Sequence, residues 1–301
     1  MRLGLWLVLL VFAAFPARAQ HAWPGSYPEG PIWIGKTLYW AELYAHRVMR
    51  WDGQEPRPFW EQPGCGPTAI APYRGSDLIV LCHLTGTLAQ LDADGNALGT
   101  FTASTGGLAL RNPNDASADD KGGVWFTDPG RFSISAPSEG RLYYLSADGD
   151  VTLHDQDLAY GNGVLFDPEN RRLLVSEHLG RRVLTYQLKK DGVGERSTLF
   201  ALDDFDLPAS RYPETGPDGL EFGPDGTLWV AEYGATRILG WQPGRGLVAA
   251  LQVDPQYVTN IAFGPDGLAA LTGAEDNANP PFPGAIWVFE AQHLTNAAKP
   301  R

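Results

Sequence analysis

Residues 218–232 read DGLEFGPDGTLWVAE: a short apolar strand, a turn on Gly223-Pro224-Asp225-Gly226, and a second strand with Leu228, Trp229 and Val230. Gly, Pro and Asp are the residues that preset or tolerate the dihedrals of a tight reversal. The same order recurs at NGVLFDPENRRLLVSE (162–177), NIAFGPDGLAALTG (260–273), EGPIWIGKTLYWAE (29–42), PTAIAPYRGSDLIVLC (67–82) and NDASADDKGGVWFTD (114–128). A third apolar strand usually follows: HRVMRWD at 46–52, GTLAQLD at 86–92, GRLYYLS at 140–146, RRVLTYQL at 181–188, TRILGWQ at 236–242 and GAIWVFE at 284–290. The six units start at 29, 67, 114, 162, 218 and 260, a spacing in the range of propeller blades, which run about 40–50 residues. A sandwich needs no such repeat. A propeller does, because each four-stranded sheet packs face-on against the next around a channel. The expectation is an all-β, six-bladed β-propeller with a central channel. Fourth strands are weakly marked, around 57–60 and 198–202, and nothing in the pattern shows how the last blade closes on the first. The longest interval carries an acidic insertion, ALDDFDLPASRYPETG, at 201–216.

The first residues stand apart from this pattern. Arg2, an apolar run from Leu3 to Phe15 and the Ala17-Arg18-Ala19 ending read as a secretory signal peptide over 1–19. The run is shorter than the ~20 apolar residues of a membrane span. The expected product is a single propeller domain over 20–301, periplasmic or secreted, with no stable membrane span after cleavage. The whole chain of 301 residues carries a net charge of −12. Without Arg2 and Arg18 the 23 basic residues become 21, against 35 acidic ones. That excess argues against a nucleic-acid partner, whose phosphates call for basic surface. Only Cys65 and Cys82 are available for cross-linking. If the hairpin between them reverses near residues 74 and 75, Cys82 lies opposite Pro67 and close to Cys65. A disulfide is then favoured over two buried thiols in an oxidising compartment.

The phase of the repeat has a chemical consequence. First strands of propeller blades line the channel and all run the same way, so the residues that open the repeats meet at one mouth. Here these are Glu29, Pro67 with Thr68, Asn114, Asn162, Asp218 and Asn260. Asn or Asp before Gly also suits a simple turn. Five oxygen-bearing side chains in register, two of them mutually repelling carboxylates, favour a bound cation instead. Hard cations such as Ca²⁺ take six to eight oxygen ligands, and no His/Cys spacing suits a structural zinc site. The expectation is one divalent cation, Ca²⁺ first with Zn²⁺, Mn²⁺ or Mg²⁺ as alternatives, at Glu29, Asn114, Asn162 and Asp218. Loops returning to this face carry Glu42, Tyr44, His46, His83, Asp128, Arg131, Phe132, Glu177, His178, Glu232, Tyr233, Asp276 and Asn277. Aromatic and ionisable residues above a metal have the makings of a substrate pocket.

Four strings stand at these positions: EGPIW at 29–33, PND at 113–115 with GGVWFTDP at 122–129, NGVLF at 162–166, and GPDGLEF at 216–222 followed by GTLWVAE. In this order the chain resembles the senescence-marker-protein/gluconolactonase family, from Glu29 to about Glu290. The resemblance implies a six-bladed propeller lactonase with one catalytic divalent ion, usually calcium, at the channel mouth. It implies Glu29, Asn162 and Asp218 as direct ligands, and Asn114 beside the metal, contacting substrate or completing the shell. Asn260 has no equally firm counterpart and is expected behind the ligands. Members often carry Arg two residues before the PND asparagine; this chain has Asn112 there, and Arg111 one place earlier. On a strand, a one-residue shift turns a side chain to the other face. Sugar-acid lactones are thereby less favoured, and the apolar and aromatic loops, with PPFP at 280–283, suit a different lactone or ester.

The expected reaction is metal-dependent hydrolysis of a small-molecule lactone or ester, the ion polarising the carbonyl. The related paraoxonases combine a calcium propeller with the same reaction class. Asp218 is the first candidate for the base, with His178 or His83 second. Asn114, Arg111, His83 and His178 are the candidate substrate contacts. Two other readings stand beside this one. The first is a non-enzymatic ligand-binding propeller with a structural metal. The second is an enzyme of the strictosidine-synthase-like group, which 162–188 also resembles.

Overall fold

A computed structural model of the protein describes residues 19–190 and 192–299. The expected signal peptide, but for Ala19, lies outside the described residues. The chain forms six four-stranded sheets. Their innermost strands are Pro28–Ile34, Pro67–Tyr73, Ala116–Ala118, Gly161–Asp167, Gly216–Phe222 and Tyr257–Phe263, close to the six expected starts. Each inner strand neighbours the next, and the sixth neighbours the first, so the sheets close into a ring around a channel. The weakly marked fourth strands are Arg57–Glu61 and Gly192–Ala201.

Closure uses both parts of the chain. His21–Ser26 pairs antiparallel with Pro283–Glu290, from His21 opposite Val288 to Ser26 opposite Pro283, and becomes the outer strand of the sixth blade. The last sheet therefore joins strands from near the two ends of the sequence.

Packing follows from the composition of the second strands. Asp77–Cys82 reads DLIVLC and is buried at every residue after the first. It has no polar alternation because both faces of the sheet are covered by neighbouring blades. Between blades five and six, Trp229, Ala231 and Ile238 meet Ile261, Leu271 and Phe289. Each of the larger of these side chains contributes about 1.5–3 kcal/mol by leaving water. In blade two, Pro67 pairs with Cys82 as the hairpin requires. Cys65 and Cys82 form a disulfide with their Cα atoms 4.6 Å apart.

One irregularity recurs at the channel mouth. The pairing of first and second strands slips between Glu29 and Ile32, Pro67 and Ala69, Gly161 and Val164, Pro217 and Leu220, and Val258 and Asn260. A bulge bends a strand and re-aims a side chain. Three of the four expected ligands lie in or at the edge of these breaks, and Asn114 stands just before its strand begins.

Candidate active site

Glu29, Asn114, Asn162 and Asp218 line a single cavity of about 360 Å³ at the channel mouth. Four different blades supply them. The bulges turn Glu29, Asn162 and Asp218 towards the axis, and the residue after each is glycine. That glycine is not merely a turn former. A Cβ on Gly163 would come within 2.3 Å of the Asp218 carbonyl oxygen, and one on Gly219 within 2.0 Å of the Asn260 side chain. The glycines thus let adjacent blades approach closely enough for their opening residues to converge. Asn260 stands behind Asp218, outside the cavity lining, where its Oδ1 accepts a hydrogen bond from the Ile261 amide at 2.7 Å.

The electrostatics of this cluster are unfavourable for the chain by itself. Burial raises the Asp218 carboxyl well above the ordinary range, and the nearby charges of Glu29 and Asp115 add to it. Burial likewise raises Glu29, with Asp115 adding and hydrogen bonds from Gly30 and Thr259 opposing. Asp115 itself is pushed up to about 6 by burial, although its Oδ2 accepts the Val164 amide at 3.0 Å. No Lys or Arg lines the cavity. Among the described residues no group of three or more His, Cys, Asp or Glu is arranged to hold a metal. The cluster instead offers two carboxylates and the amide carbonyls of Asn114 and Asn162. Neither side-chain amide makes a hydrogen bond among the described residues. A hard, all-oxygen set with surplus negative charge fits a cation such as Ca²⁺.

The face loops divide into two groups. Tyr44, His83, Phe132, His178, Tyr233 and Asn277 reach the cavity. Glu42, Glu177 and Glu232 do not, contrary to the sequence expectation, because each meets an arginine five residues later. Arg47 holds Glu42 through Nε at 2.8 Å, and Arg182 holds Glu177. Arg237 grips Glu232 at 2.7 and 2.9 Å. Asp128 is also diverted: it accepts the backbone amides of Arg111 and Asn112 at 2.9 and 3.0 Å. His46, Arg131 and Asp276 lie outside the lining as well. Arg111, expected among the substrate contacts, is not brought into the cavity. The Asp128 clamp fixes its backbone, and its guanidinium reaches out to Glu139 at 3.1 Å.

Both candidate histidines lie in the wall. His178 is fully buried, and its Nε2 donates to the Glu214 carbonyl at 2.8 Å, an acceptor that fixes the proton on that nitrogen. Its Nδ1 is buried without a hydrogen-bond partner. Burial lowers His178 to about 4, and His83 likewise. Neither is a strong base near neutral pH.

Sequence reasoning missed Tyr27, Leu43, Tyr160 and Tyr212 in the lining. Two of them carried a signal. Tyr27 and Tyr160 each stand two residues before an expected ligand, Glu29 and Asn162, and both adopt left-handed backbone, with φ of 54° and 59°. Tyr212 comes from the 201–216 insertion and had none. The Tyr27 and Tyr233 hydroxyls meet at 2.6 Å. Asn277 Nδ2 donates to the hydroxyls of Tyr212 and Tyr233, at 3.0 Å each.

Comparison with known proteins agrees with this architecture. Lactonase drp35 of Staphylococcus saprophyticus is 31% identical over 179 residues, 58% of this chain and 52% of that relative, so the match spans about half of its length. The 6-deoxy-6-sulfogluconolactonase of Pseudomonas putida is 24% identical over 281 residues, covering 88% of this chain and 91% of that one. The solved structure of regucalcin from Agrobacterium tumefaciens, described as a calcium-binding protein, shares the fold with a TM-score of 0.69. Its identity is 17%, over 93% of this chain and 94% of that one. The family model for the SMP-30/Gluconolactonase/LRE-like region matches residues 27–272, a span holding every cavity residue except Asn277; the chain belongs to the SMP-30/gluconolactonase/LRE-like family.

Proposed function

We propose that the protein opens a lactone ring by hydrolysis, using one divalent cation, Ca²⁺ before Zn²⁺, Mn²⁺ or Mg²⁺. Glu29, Asn162 and Asp218 hold it, with Asn114 completing the set or meeting the substrate. One observation carries the reading: two carboxylates converge with no protein cation beside them, next to two amides with no other partner. The lactonases among the relatives support the reaction class, and the calcium-binding neighbour supports the cation.

Bound there, the cation supplies Lewis-acid polarisation of the ester carbonyl. A carboxylate oxygen of Asp218 accepts the proton of the attacking water. Such a base is wanted because calcium acidifies water less than zinc does. The Asn114 amide, at the edge of the cluster, orients the ester. Tyr160, Phe132 and His178 exclude bulk water from one side and so strengthen every charge interaction at the reacting carbon. The Cys65–Cys82 disulfide and the apolar leader both support a periplasmic or secreted location.

The test is a panel of lactones and esters assayed before chelation, after it, and after return of Ca²⁺, Mn²⁺, Zn²⁺ or Mg²⁺ singly. Turnover lost with chelation and restored by one ion is the expected result. Turnover unchanged in metal-free buffer overturns the cation's role. No turnover on any compound overturns the hydrolase, and favours the ligand-binding propeller or an enzyme acting on amines and aldehydes.

A further inference from the structure

We propose that this cavity takes an uncharged lactone with a flat apolar body, aryl or alkyl, in preference to a polyhydroxylated or anionic sugar lactone. The inference rests on the lactonase reading above. Three independent features of the cavity point the same way.

The first is charge. None of the lining residues is Lys or Arg, and Arg111 is turned away onto Glu139. An anionic substituent held away from the cation would find no lysine or arginine to pair with.

The second is the state of the polar groups. Tyr27, Tyr212, Tyr233 and Asn277 bond to one another. Thr68 donates to the Pro113 carbonyl at 3.3 Å, and His178 to Glu214. Outside the carboxylate cluster and its two amides, the hydroxyls of Tyr44 and Tyr160 and the Nδ1 atoms of His83 and His178 are without a hydrogen bond among the described residues. A sugar lactone brings a hydroxyl on nearly every ring carbon. Each one buried without a partner costs about 1–3 kcal/mol, and a flat apolar ring brings none.

The third is the shape and rim of the wall. Phe132 and Tyr233 pack against His178 with centroids 5.2 and 5.5 Å away, and Tyr160 follows at 5.9 Å. Across the mouth Tyr44 stacks on Phe282 at 3.8 Å. Aromatic walls of this kind favour a planar guest in offset or edge-on contact. Six large apolar side chains are exposed among the described residues. Three of them, Tyr44, Leu84 and Ile134, lie on the loops between second and third strands at the mouth face, whereas Leu98 and Leu153 lie on outer strands and Leu108 lies on a turn packed against Asp150 and Val151. An apolar rim concentrated around one opening marks what passes through it.

The chemistry remains simple hydrolysis. Water's oxygen bonds to the carbonyl carbon, the acyl–oxygen ring bond breaks, and the ring oxygen leaves with a proton as a phenol or alcohol. No oxidant or further reactant is needed.

The full chain, loaded with Ca²⁺, should be assayed with dihydrocoumarin, an alkyl δ-lactone and glucono-δ-lactone. The expected result is a kcat/KM for dihydrocoumarin at least about tenfold above that for glucono-δ-lactone. Equal or reversed values overturn the substrate class while leaving the lactonase reading intact. Turnover of none of the three overturns both. Binding gives a readout independent of turnover: the lactam analogue of dihydrocoumarin, 3,4-dihydro-2-quinolinone, titrated by quenching of tyrosine and tryptophan fluorescence. Phe132→Ala should weaken that binding about fivefold or more with Ca²⁺ affinity unchanged; unaltered lactam binding removes the aromatic wall from recognition and overturns the proposal.

Discussion

Glu42, Glu177 and Glu232 lie at or next to the ends of the second strands of three blades, and each lies against an arginine that opens the third strand. Glu29 and Asp218 open the first strands of two blades and share a cavity that no arginine or lysine enters. The two sets are built from the same side-chain chemistry in the same fold. An ionised carboxylate taken out of water must be paired or else neutralised by a proton. Where the chain supplies the counter-charge, the residue staples a loop. Where it supplies only amides, the carboxyl is left to a proton or to the cation proposed above.

Breaking the unpaired set should have the largest effect on activity. Asp218→Asn keeps the shape and removes the charge. It should lower kcat/KM by at least about a hundredfold and abolish Ca²⁺ binding by calorimetry, without lowering the melting temperature of the cation-free protein. Retained binding together with a lowered melting temperature would place Asp218 with the staples.

Breaking the paired set should do the reverse. Glu232→Ala leaves Arg237 buried and charged, its side chain 6% exposed. It should cost about 3–5 kcal/mol in denaturant unfolding with Ca²⁺ affinity retained. Glu42→Ala leaves Arg47 at 34% exposure, where water replaces the partner, and should cost only about 1 kcal/mol. Equal costs for the two would show that burial is not what distinguishes them.

The wall histidine falls between these in size. His178 is lowered to about 4 from an ordinary 6.5, so the fold favours its neutral form. The stability this confers is fully present above pH 6.5 and is lost as pH falls towards 4, up to about 3 kcal/mol. His178→Gln should flatten the fall of stability measured from pH 7 to 4; an unchanged slope would show that the ring titrates in contact with water. The smallest effect belongs to Arg111→Ala, which should change kcat/KM by less than about twofold because its guanidinium serves an exposed ion pair. A tenfold loss would return Arg111 to the cavity.

The architecture was readable because six copies of one strand order carry their own alignment, and the phase of that alignment brings Glu29, Asn114, Asn162 and Asp218 together. The bulges beside them were not readable, since a register slip leaves no mark in composition. The glycines after Glu29, Asn162 and Asp218 looked like turn formers and turned out to be points of close approach between blades. The sorting of the face carboxylates was written in the sequence and passed over. ELYAHR, EHLGRR and EYGATR all place Arg five residues after Glu, the spacing that returns a side chain across the hairpin turn. Tyr212 was beyond reach, because an insertion without periodicity does not say which of its residues folds back over the channel.

Closure by His21–Ser26 has a consequence for the order of events in the cell. A ribosome, or a translocation pore, releases this strand long before its partner Pro283–Glu290. Loop-closure entropy makes so distant a pairing slow to form, and until it forms both sheet edges stay open. Tyr27, the residue that links this strand to Glu29, lines the cavity and takes the Phe282 carbonyl through its own amide at 2.9 Å. The cavity wall and the ring's final seam are therefore completed together, and a nascent or C-terminally clipped chain should have blades without having a working pocket.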